Sequence, residues 1–288
     1  MNGSSIQSLF VINGVVSVAM MLLNKTISSA FPFPVTIVAI QNLLALVGTL
    51  LIILVKPSLI GPVRRSHVAK SIPGTMIFSV ALTLAMMSAR LTSIPVASVC
   101  SNCRPLTTSL IEFLIAGASL GRGKIFGLAL VATGSLVTAK SVGELEFQGM
   151  QIALIYVLLT SLQSAMDNRV MKSVKSEQTA LGINLYRLTL STPILIVTAI
   201  YSEGLFSIHF PARTVLLLCM TGISCLVAGV VVFRLQALTS ATSIQVANIG
   251  FKLVTTGTSL FTHHEMPNLF GWIGFVLSMV GIVRYTLY

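Results

Sequence analysis

The chain has few charged side chains and very few acidic ones. Of its 288 residues, 9% are charged, seven are acidic, and Asp167 is the single aspartate. Soluble domains carry about 25% charged residues, so an ordinary soluble protein is excluded. One aspartate also excludes the aspartate pair of an intramembrane protease. The four histidines are expected in linkers, which excludes a serine–histidine dyad inside a span, so we expect no enzyme.

Metal ligands are also sparse. Cys100 and Cys103 match C-x-x-C, but a zinc site needs further ligands nearby and none is evident. His263, His264 and Glu265 fall in a short predicted linker, where a solvated turn is expected. The sequence therefore predicts neither a bound metal nor a cofactor.

Long apolar runs dominate what remains, because 55% of the residues are hydrophobic and the mean hydropathy is +0.94. A bilayer core about 30 Å thick needs about 20 apolar residues per helix. The short linkers leave no room for a soluble domain, which predicts an all-α polytopic membrane protein of about ten transmembrane helices. The expected spans are Leu9–Ser28, Val35–Val55, Ile72–Ala89, Ile94–Ala118, Ile125–Lys140, Met150–Val170, Ala180–Tyr201, Thr214–Leu235, Thr239–Phe261 and Leu269–Tyr288.

The net charge of +11 is distributed unequally between the linkers. If the spans alternate, most cations fall on one side, which the positive-inside rule makes cytosolic together with both termini. The excess charge is therefore a topology signal rather than a nucleic-acid site, and the bilayer is the expected partner. The cytosolic set is Lys56, Arg64, Arg65, Lys70, Arg122, Lys124, Arg169, Lys172, Lys175, Arg234 and Arg284.

Polar residues and glycines recur in the same order at offsets of 144 to 148 residues. This pattern predicts two five-helix repeats, residues 1–141 and 149–288. Because five is odd, the second repeat enters the membrane from the opposite face, as in secondary transporters that bind substrate between inverted halves. The matched pairs are Asn24–Lys25 with Asn168–Arg169, Gln41–Asn42 with Tyr186–Arg187, Arg104 with Lys252, and Gly127 and Gly134 with Gly274 and Gly281.

Three cations, Arg104, Arg187 and Lys252, lie inside predicted spans. A charge at membrane depth costs at least about 2.5–3.5 kcal/mol, so such residues usually face a wet cavity. Glu112 and Asp167 are the acids available near them, which leaves an excess of positive charge and predicts an anionic small-molecule substrate. Two other interpretations stay open. Arg187 could extend to the cytosolic interface. Arg104 and Lys252 could form a structural pair with Glu112, which shares the helix face of Arg104.

Further candidate binding residues surround these cations. Gln245 and Asn248 precede Lys252 by seven and four residues, so the three share one stripe of span nine. Asn102 accompanies Arg104 in span four. Tyr186 precedes Arg187 and could stack on a base or a sugar, or anchor the helix at the interface. Polar stripes also hold membrane helices together, so a structural role is the alternative.

Two segments resemble motifs of the nucleotide-sugar transporter family, in the drug/metabolite transporter superfamily that also holds the plastid phosphate translocators. Residues 185–193, LYRLTLSTP, resemble the segment with the FYNN motif of GDP-mannose transporters, whose two asparagines are here Arg187 and Leu188. Residues 248–252, NIGFK, stand where those carriers have GALNK. The resemblance implies that Lys252 contacts a nucleotide diphosphate. Phosphate translocators carry paired Lys-Arg there, whereas Leu253 follows Lys252.

The resemblance implies a nucleotide-sugar transporter in the Golgi or endoplasmic reticulum membrane. Such a carrier exchanges a cytosolic nucleotide sugar for a lumenal nucleoside monophosphate by alternating access. Three alternatives stay open: a phosphate or triose-phosphate carrier, another organic-anion carrier, and a relative of the same fold that no longer transports. A homodimer is open beside a monomer.

Overall fold

The computed structural model describes residues 3–91, 100–117, 121–141, 147–174, 176–205, 210–251 and 269–287. Helices make up nearly all of these residues, and these ranges contain no strand. The helices are α1 Gly3–Ala30, α2 Pro34–Val55, α3 Arg65–Leu91, α4 Arg104–Ala116, α5 Arg122–Ser141, α6 Phe147–Val174, α7 Ala180–Glu203, α8 Ala212–Leu238, α9 with its described part at 241–251, and α10 Leu269–Leu287; a 3₁₀ turn, Pro57–Leu59, follows α2.

Five of these helices are long and apolar enough to cross a membrane, over Ile6–Ala30, Pro34–Val55, Arg65–Ser88, Ala180–Glu203 and Ala212–Leu238. Large apolar side chains cover their outer faces: Leu54 and Val55, for example, are 77% and 86% exposed. Soluble proteins rarely expose so much apolar surface. The chain is therefore an integral membrane protein, whereas the number of ten spans stays a prediction.

Helix α3 begins at Arg65, well before the predicted span at Ile72. Two polar residues of these extra turns, His67 and Ser71, are buried, whereas the two basic residues of the same turns are exposed. Hydroxyl groups on the buried face donate to carbonyl oxygens one turn earlier. Ser71 donates to the His67 carbonyl and Thr75 to the Ser71 carbonyl, at 3.0 and 2.8 Å. Local bonds of this kind let polar residues lie inside a bundle. The expectation that His67 lies in a linker was therefore wrong.

The predicted span Ile94–Ala118 is interrupted within its described part. Residues 100–102 are helical, Cys103 forms a turn, and α4 starts anew at Arg104. Pro105 explains the break, because proline lacks the N–H group that an unbroken helix would bond to the carbonyl four residues earlier, and it is tolerated in the first turn of a new helix. Arg104 is consequently the first residue of α4. This helix start lies inside the fourth apolar segment of the chain.

Glycines bring α5 and α10 into close contact. A Cβ added at Gly127 would lie 2.8 Å from the Gly281 carbonyl oxygen, and one at Gly134 would lie 2.5 Å from that of Gly274. These are the glycines whose spacing suggested a repeat. Gly127 contacts Gly281, the predicted counterpart of Gly134, and Gly134 contacts Gly274, the predicted counterpart of Gly127. Helices α1 and α8, and likewise α3 and α6, also pack together; the predicted repeat would relate these two helix pairs, and the repeat itself stays a prediction. The boundaries 1–141 and 149–288 stay a prediction.

Candidate functional site

A cavity of about 260 Å³ lies between α1, α3, α4, α6 and α9. It is on the side of the bundle where α1 and α3 end and where α4 and α6 begin. By the predicted topology this is the side opposite the cytosol. The wall is mostly apolar, with Met20, Leu82 and Met86 among its residues, and a few polar groups face the space: Ser17, Asn24, Ser88, Ser101, Arg104, Tyr156 and Asn248.

Arg104 supplies the positive charge of this cavity. Its guanidinium carbon lies 5.0 Å from the ring centroid of Tyr156 on α6. The Nε atom is buried and has no hydrogen-bond partner. Within the described ranges Arg104 forms no ion pair; those found are Arg64–Glu177, His67–Glu177 and Arg187–Asp167. Arg104 is half-buried, and its buried Nε atom offers a donor that no group of the described residues uses. An unused buried donor is costly, so the arrangement suits an anion.

Glu112 does not pair with Arg104, although both lie on α4. Its carboxylate accepts hydrogen bonds from the backbone N–H groups of Ala241 and Thr242, at 3.0 and 3.3 Å, and from the Thr242 hydroxyl. Eight residues of helix rise separate Arg104 from Glu112 by about 12 Å, which is too far for an ion pair. Glu112 instead caps the start of α9, where a carboxylate favours the positive end of the helix dipole.

Asn248 lines the cavity, and its side-chain oxygen accepts a hydrogen bond from Asn13 on α1. Gln245, one turn earlier, lies outside the cavity and donates to the Ser164 hydroxyl at 3.2 Å. The stripe on α9 is therefore divided: Asn248 faces the cavity, whereas Gln245 joins α9 to α6. Lys252, the next member of the stripe, is outside the described residues.

Asn102 is adjacent to the cavity but does not line it. Its side chain is 5% exposed, and its Oδ1 atom has no hydrogen-bond partner. The preceding residue, Ser101, does line the cavity. The break at Cys103 therefore brings Ser101 and Arg104 into the cavity wall and leaves Asn102 buried behind them.

Tyr186 and Arg187 lie outside the cavity, in a separate polar cluster between α3, α6, α7 and α8. Arg187 is 7% exposed and forms an ion pair with Asp167 on α6. Its guanidinium carbon lies 4.8 and 4.1 Å from the ring centroids of Phe78 and Phe233. The interpretation that Arg187 extends to the interface was wrong, because this charge is neutralised inside the bundle.

Tyr186 is likewise occupied by contacts with its own neighbours. Its ring is 5% exposed and packs with Met171, Val174 and Phe233. Its hydroxyl oxygen accepts a hydrogen bond of 2.7 Å from Gln178. The structure thus separates the predicted candidates into two groups, with Arg104 and Asn248 at the cavity and Tyr186 and Arg187 in the second cluster.

Several polar residues at or beside the cavity were not predicted as site residues, among them Ser88 and Ser101. Asn24 lines it and accepts a hydrogen bond of 3.0 Å from Gln41 on α2. Ser17 and Tyr156 also line it, and Asn13, 1% exposed, supports Asn248. An amide inside an apolar run could have indicated Asn13, and Asn24 was noted as part of the repeat. Nothing local in the sequence distinguishes Tyr156.

No group of three His, Cys, Asp or Glu side chains that could hold a metal occurs in the part of the chain that the structure describes. The four cysteines are free thiols. The polar groups of the cavity are one cation, amides and hydroxyls, which can bind an anion with hydroxyl or amide groups. Within this set of lining residues there is no carboxylate or imidazole that could act as a general acid or base.

Apolar helices around a cavity with an uncompensated cation define a membrane transport protein, and the comparisons specify its family. The chain belongs to the triose-phosphate transporter family, within the drug/metabolite transporter superfamily, because the family model matches residues 4–286. Members of this family are transporters rather than enzymes.

A comparison with solved structures adds the fold alone. One of the solved crystal structures that match covers 96% of this chain, which in turn covers 98% of that chain, with a TM-score of 0.72 and 15% sequence identity. At this identity the likeness extends to the fold and not to the substrate. No curated protein sequence matches the chain.

Proposed function

We propose that this transporter carries a nucleotide sugar and exchanges it for a nucleoside monophosphate by alternating access. The observation that carries the proposal is Arg104, a cavity cation with a buried, unused Nε donor and no ion pair in the described ranges. Both proposed substrates present phosphate oxygens, and arginine binds phosphate with charge-assisted hydrogen bonds.

The diphosphate would lie between Arg104 and Lys252. Lys252 follows the cavity residue Asn248 by four positions in the sequence, a spacing that predicts the same helix face. Two cations match the two phosphates of a nucleotide sugar better than one does. The resemblance to carriers whose lysine contacts a diphosphate supports the same assignment.

Amides and hydroxyls of the cavity would recognise the uncharged parts of the substrate. Asn24, Ser101 and Asn248 line the same space as Arg104, and Tyr156 adds an aromatic ring, a surface on which bases and sugars stack. Asn102 and Gln245 would position α4 and α9 rather than contact the substrate. Tyr186 and Arg187 contact other residues of the second cluster. They would likewise position helices rather than contact the substrate.

Obligatory exchange follows from the cost of an empty site. Unless an anion is bound, movement of one half against the other carries uncompensated positive charge through the apolar interior. Either anion lowers that cost, because a ligand favours the conformations for which it has greater affinity. Net uniport would require the empty carrier to return, and that step is the costly one.

The test is exchange in liposomes. Purified protein is reconstituted in vesicles preloaded with UMP or GMP, and uptake of labelled UDP-, GDP- and CMP-sugars is measured. Arg104→Gln and Lys252→Ala are expected to abolish exchange while both variants stay folded. Arg213→Gln is the matched control, since Arg213 is exposed and outside the cavity. Wild-type exchange rates in both cavity variants would refute the proposal.

A small phosphorylated sugar or inorganic phosphate is the second candidate. The observation that favours it is the size of the cavity, since about 260 Å³ is below the range of about 300–1,000 Å³ that is common for ligand pockets. Uptake of labelled triose phosphate or phosphate into vesicles that contain no nucleotide would support this candidate over the first.

We also propose a Golgi or endoplasmic reticulum membrane with both termini in the cytosol, on the basis of the charge distribution of the linkers and of the family resemblance. Tags at either end should be accessible to antibody after selective permeabilisation of the plasma membrane. Tags that become accessible only after all membranes are opened would reverse the orientation.

A further inference from the structure

A second cavity lies far from the Arg104 site, at the opposite end of the helices. It is about 370 Å³ in volume and lies between the end of α2, the 3₁₀ turn, the start of α7 and the last turns of α8. By the predicted topology, this is the cytosolic end. Apart from Ser58, Thr179 and Arg234, its wall is apolar: Ile52, Leu59, Ala180, Leu181, Leu226, Val227, Val230 and Val231.

The polar groups of this groove are at one end. Arg234 follows Val230 by four residues and Val227 by seven, so one face of α8 presents two apolar side chains and then a cation. Arg234 is exposed and forms no ion pair among the described residues. Ser58 is also exposed, whereas the Thr179 hydroxyl donates to the Leu59 carbonyl oxygen at 2.7 Å. A free cation therefore stands at the mouth of an apolar groove.

The groove borders the surface that faces lipid. Ile52 is 37% exposed, Leu51 next to it is 57% exposed, and Ile223, one turn before Val227 on α8, is 67% exposed. An acyl chain can thus enter from the bilayer without crossing a polar barrier. A nucleotide or a sugar phosphate would have to place its hydroxyls against Ile, Leu and Val side chains, which leaves those polar groups without hydrogen bonds.

We propose that this groove is a binding site for an anionic phospholipid. One acyl chain lies against Ile52, Leu226 and Val230, and the headgroup phosphate accepts hydrogen bonds from Arg234 and Ser58. A net anionic headgroup is preferred over a choline headgroup, because the choline cation would repel Arg234 and cancel the charge of the phosphate. Phospholipids with anionic headgroups are enriched in cytoplasmic leaflets and bind basic pockets between membrane helices. The net charge of +11 adds a general attraction in the same direction. A bound lipid would contact α2, α7 and α8 at once and stabilise their packing.

The experiment measures thermal unfolding of the purified full-length protein in micelles with added phosphatidylserine, phosphatidylcholine or inorganic phosphate. Phosphatidylserine is expected to raise the melting temperature more than phosphatidylcholine does, and phosphate alone is expected to have no effect. In Arg234→Gln the apparent affinity for phosphatidylserine should fall about fivefold, the size expected for loss of one direct hydrogen bond to the headgroup phosphate. Arg169→Gln, which removes an exposed arginine of the same predicted side, should behave as the wild type.

A second variant separates the acyl groove from the charge. Val230→Trp fills the groove without removing a cation, so it should lose the phosphatidylserine effect while Arg234 is still present. Native mass spectrometry should then count fewer retained phosphatidylserine molecules in both groove variants than in Arg169→Gln. Equal stabilisation by both lipids, an unchanged lipid response in Arg234→Gln, or stabilisation by phosphate alone would each overturn the proposal; the last outcome would indicate a site for a soluble anion.

Discussion

The guanidinium of Arg104 and the ring of Tyr156 are 5.0 Å apart, and they join the start of α4 to α6 at the wall of the cavity. The tyrosine stabilises a cation that no carboxylate of the described residues neutralises. Because the ring contributes only a quadrupole, the charge remains available for a ligand. The pair therefore keeps Arg104 inside an apolar bundle without consuming the charge that would bind the substrate.

Replacement of Tyr156 tests this relationship. A cation–π contact is worth about 0.5–2 kcal/mol, so Tyr156→Leu should reduce exchange by between about twofold and thirtyfold, and Tyr156→Phe should retain most of it. The measurement is the initial rate of exchange in liposomes over a range of substrate concentrations. Tyr201→Leu is the control, since Tyr201 is 88% exposed. Equal rates for Tyr156→Leu and the wild type would show that the ring has no such role.

Arg187 and Asp167 should act on stability rather than on substrate choice. Both are 7% exposed and pair with each other. Removal of one partner of a buried pair costs about 3–5 kcal/mol, because the other charge is left unpaired. Arg187→Gln and Asp167→Asn should each lower the melting temperature markedly, and the double variant should recover part of the loss.

A double-mutant cycle of unfolding midpoints in detergent measures that coupling. If Arg187→Gln leaves the midpoint unchanged but alters which nucleotide sugar is exchanged, Arg187 belongs to the substrate site after all. The assignment of the second cluster as structural would then fail.

The sequence predicts the all-helical membrane architecture of this molecule, because apolar length depends on local composition. It also indicates Arg104 as a cavity residue, since the cations inside the predicted spans outnumber the carboxylates near them. The neutralisation of Arg187 could not be predicted in the same way. Asp167 is twenty residues away on another helix, and only the packing of α6 against α7 brings the two side chains together.

Two further features of the site illustrate the same distinction between local signals and distant contacts. The restart of the helix at Arg104 follows from Pro105, a signal that the sequence does contain. Asn13 and Asn248 are 235 residues apart in the sequence, and their pairing depends on how α1 packs against α9. Interactions within one helix turn are thus predictable from the sequence, whereas contacts between distant helices require the fold.

Glu112 and Glu203 provide a further prediction, because each binds the start of a helix from another segment of the chain. Glu112 accepts from Ala241 and Thr242 on α9, and Glu203 accepts from Val35 and Thr36 at the start of α2, at 3.0 and 2.8 Å. Loss of a side-chain cap costs about 0.5–2 kcal/mol. Glu112→Gln and Glu203→Gln should each lower stability by about that amount.

The measurement is again thermal unfolding, with accessibility of a reporter cysteine near each helix start as a local readout. Glu177→Gln is the control, because Glu177 is half-exposed and bonds to side chains of Arg64 and His67 rather than to a helix start. An increase in accessibility at α9 only in Glu112→Gln, and at α2 only in Glu203→Gln, is expected. No local change in either variant would contradict the capping roles.

The glycines of α5 and α10 give the last prediction. A methyl group at Gly127 would lie 2.8 Å from the Gly281 carbonyl oxygen, and one at Gly281 would lie 2.7 Å from that of Gly127. Backbone atoms cannot rotate away as side chains do, so the two helices must separate. Overpacking of this kind costs about 1–3 kcal/mol, and Gly127→Ala and Gly281→Ala should lower the melting temperature accordingly. Gly121→Ala, where no atom lies within 4 Å of the added methyl, is the control.

The two contact variants should also be strongly non-additive, because separation of the helices by one methyl makes room for the other. Additive losses would mean that each glycine has an independent role and that the pair does not set the distance between the helices.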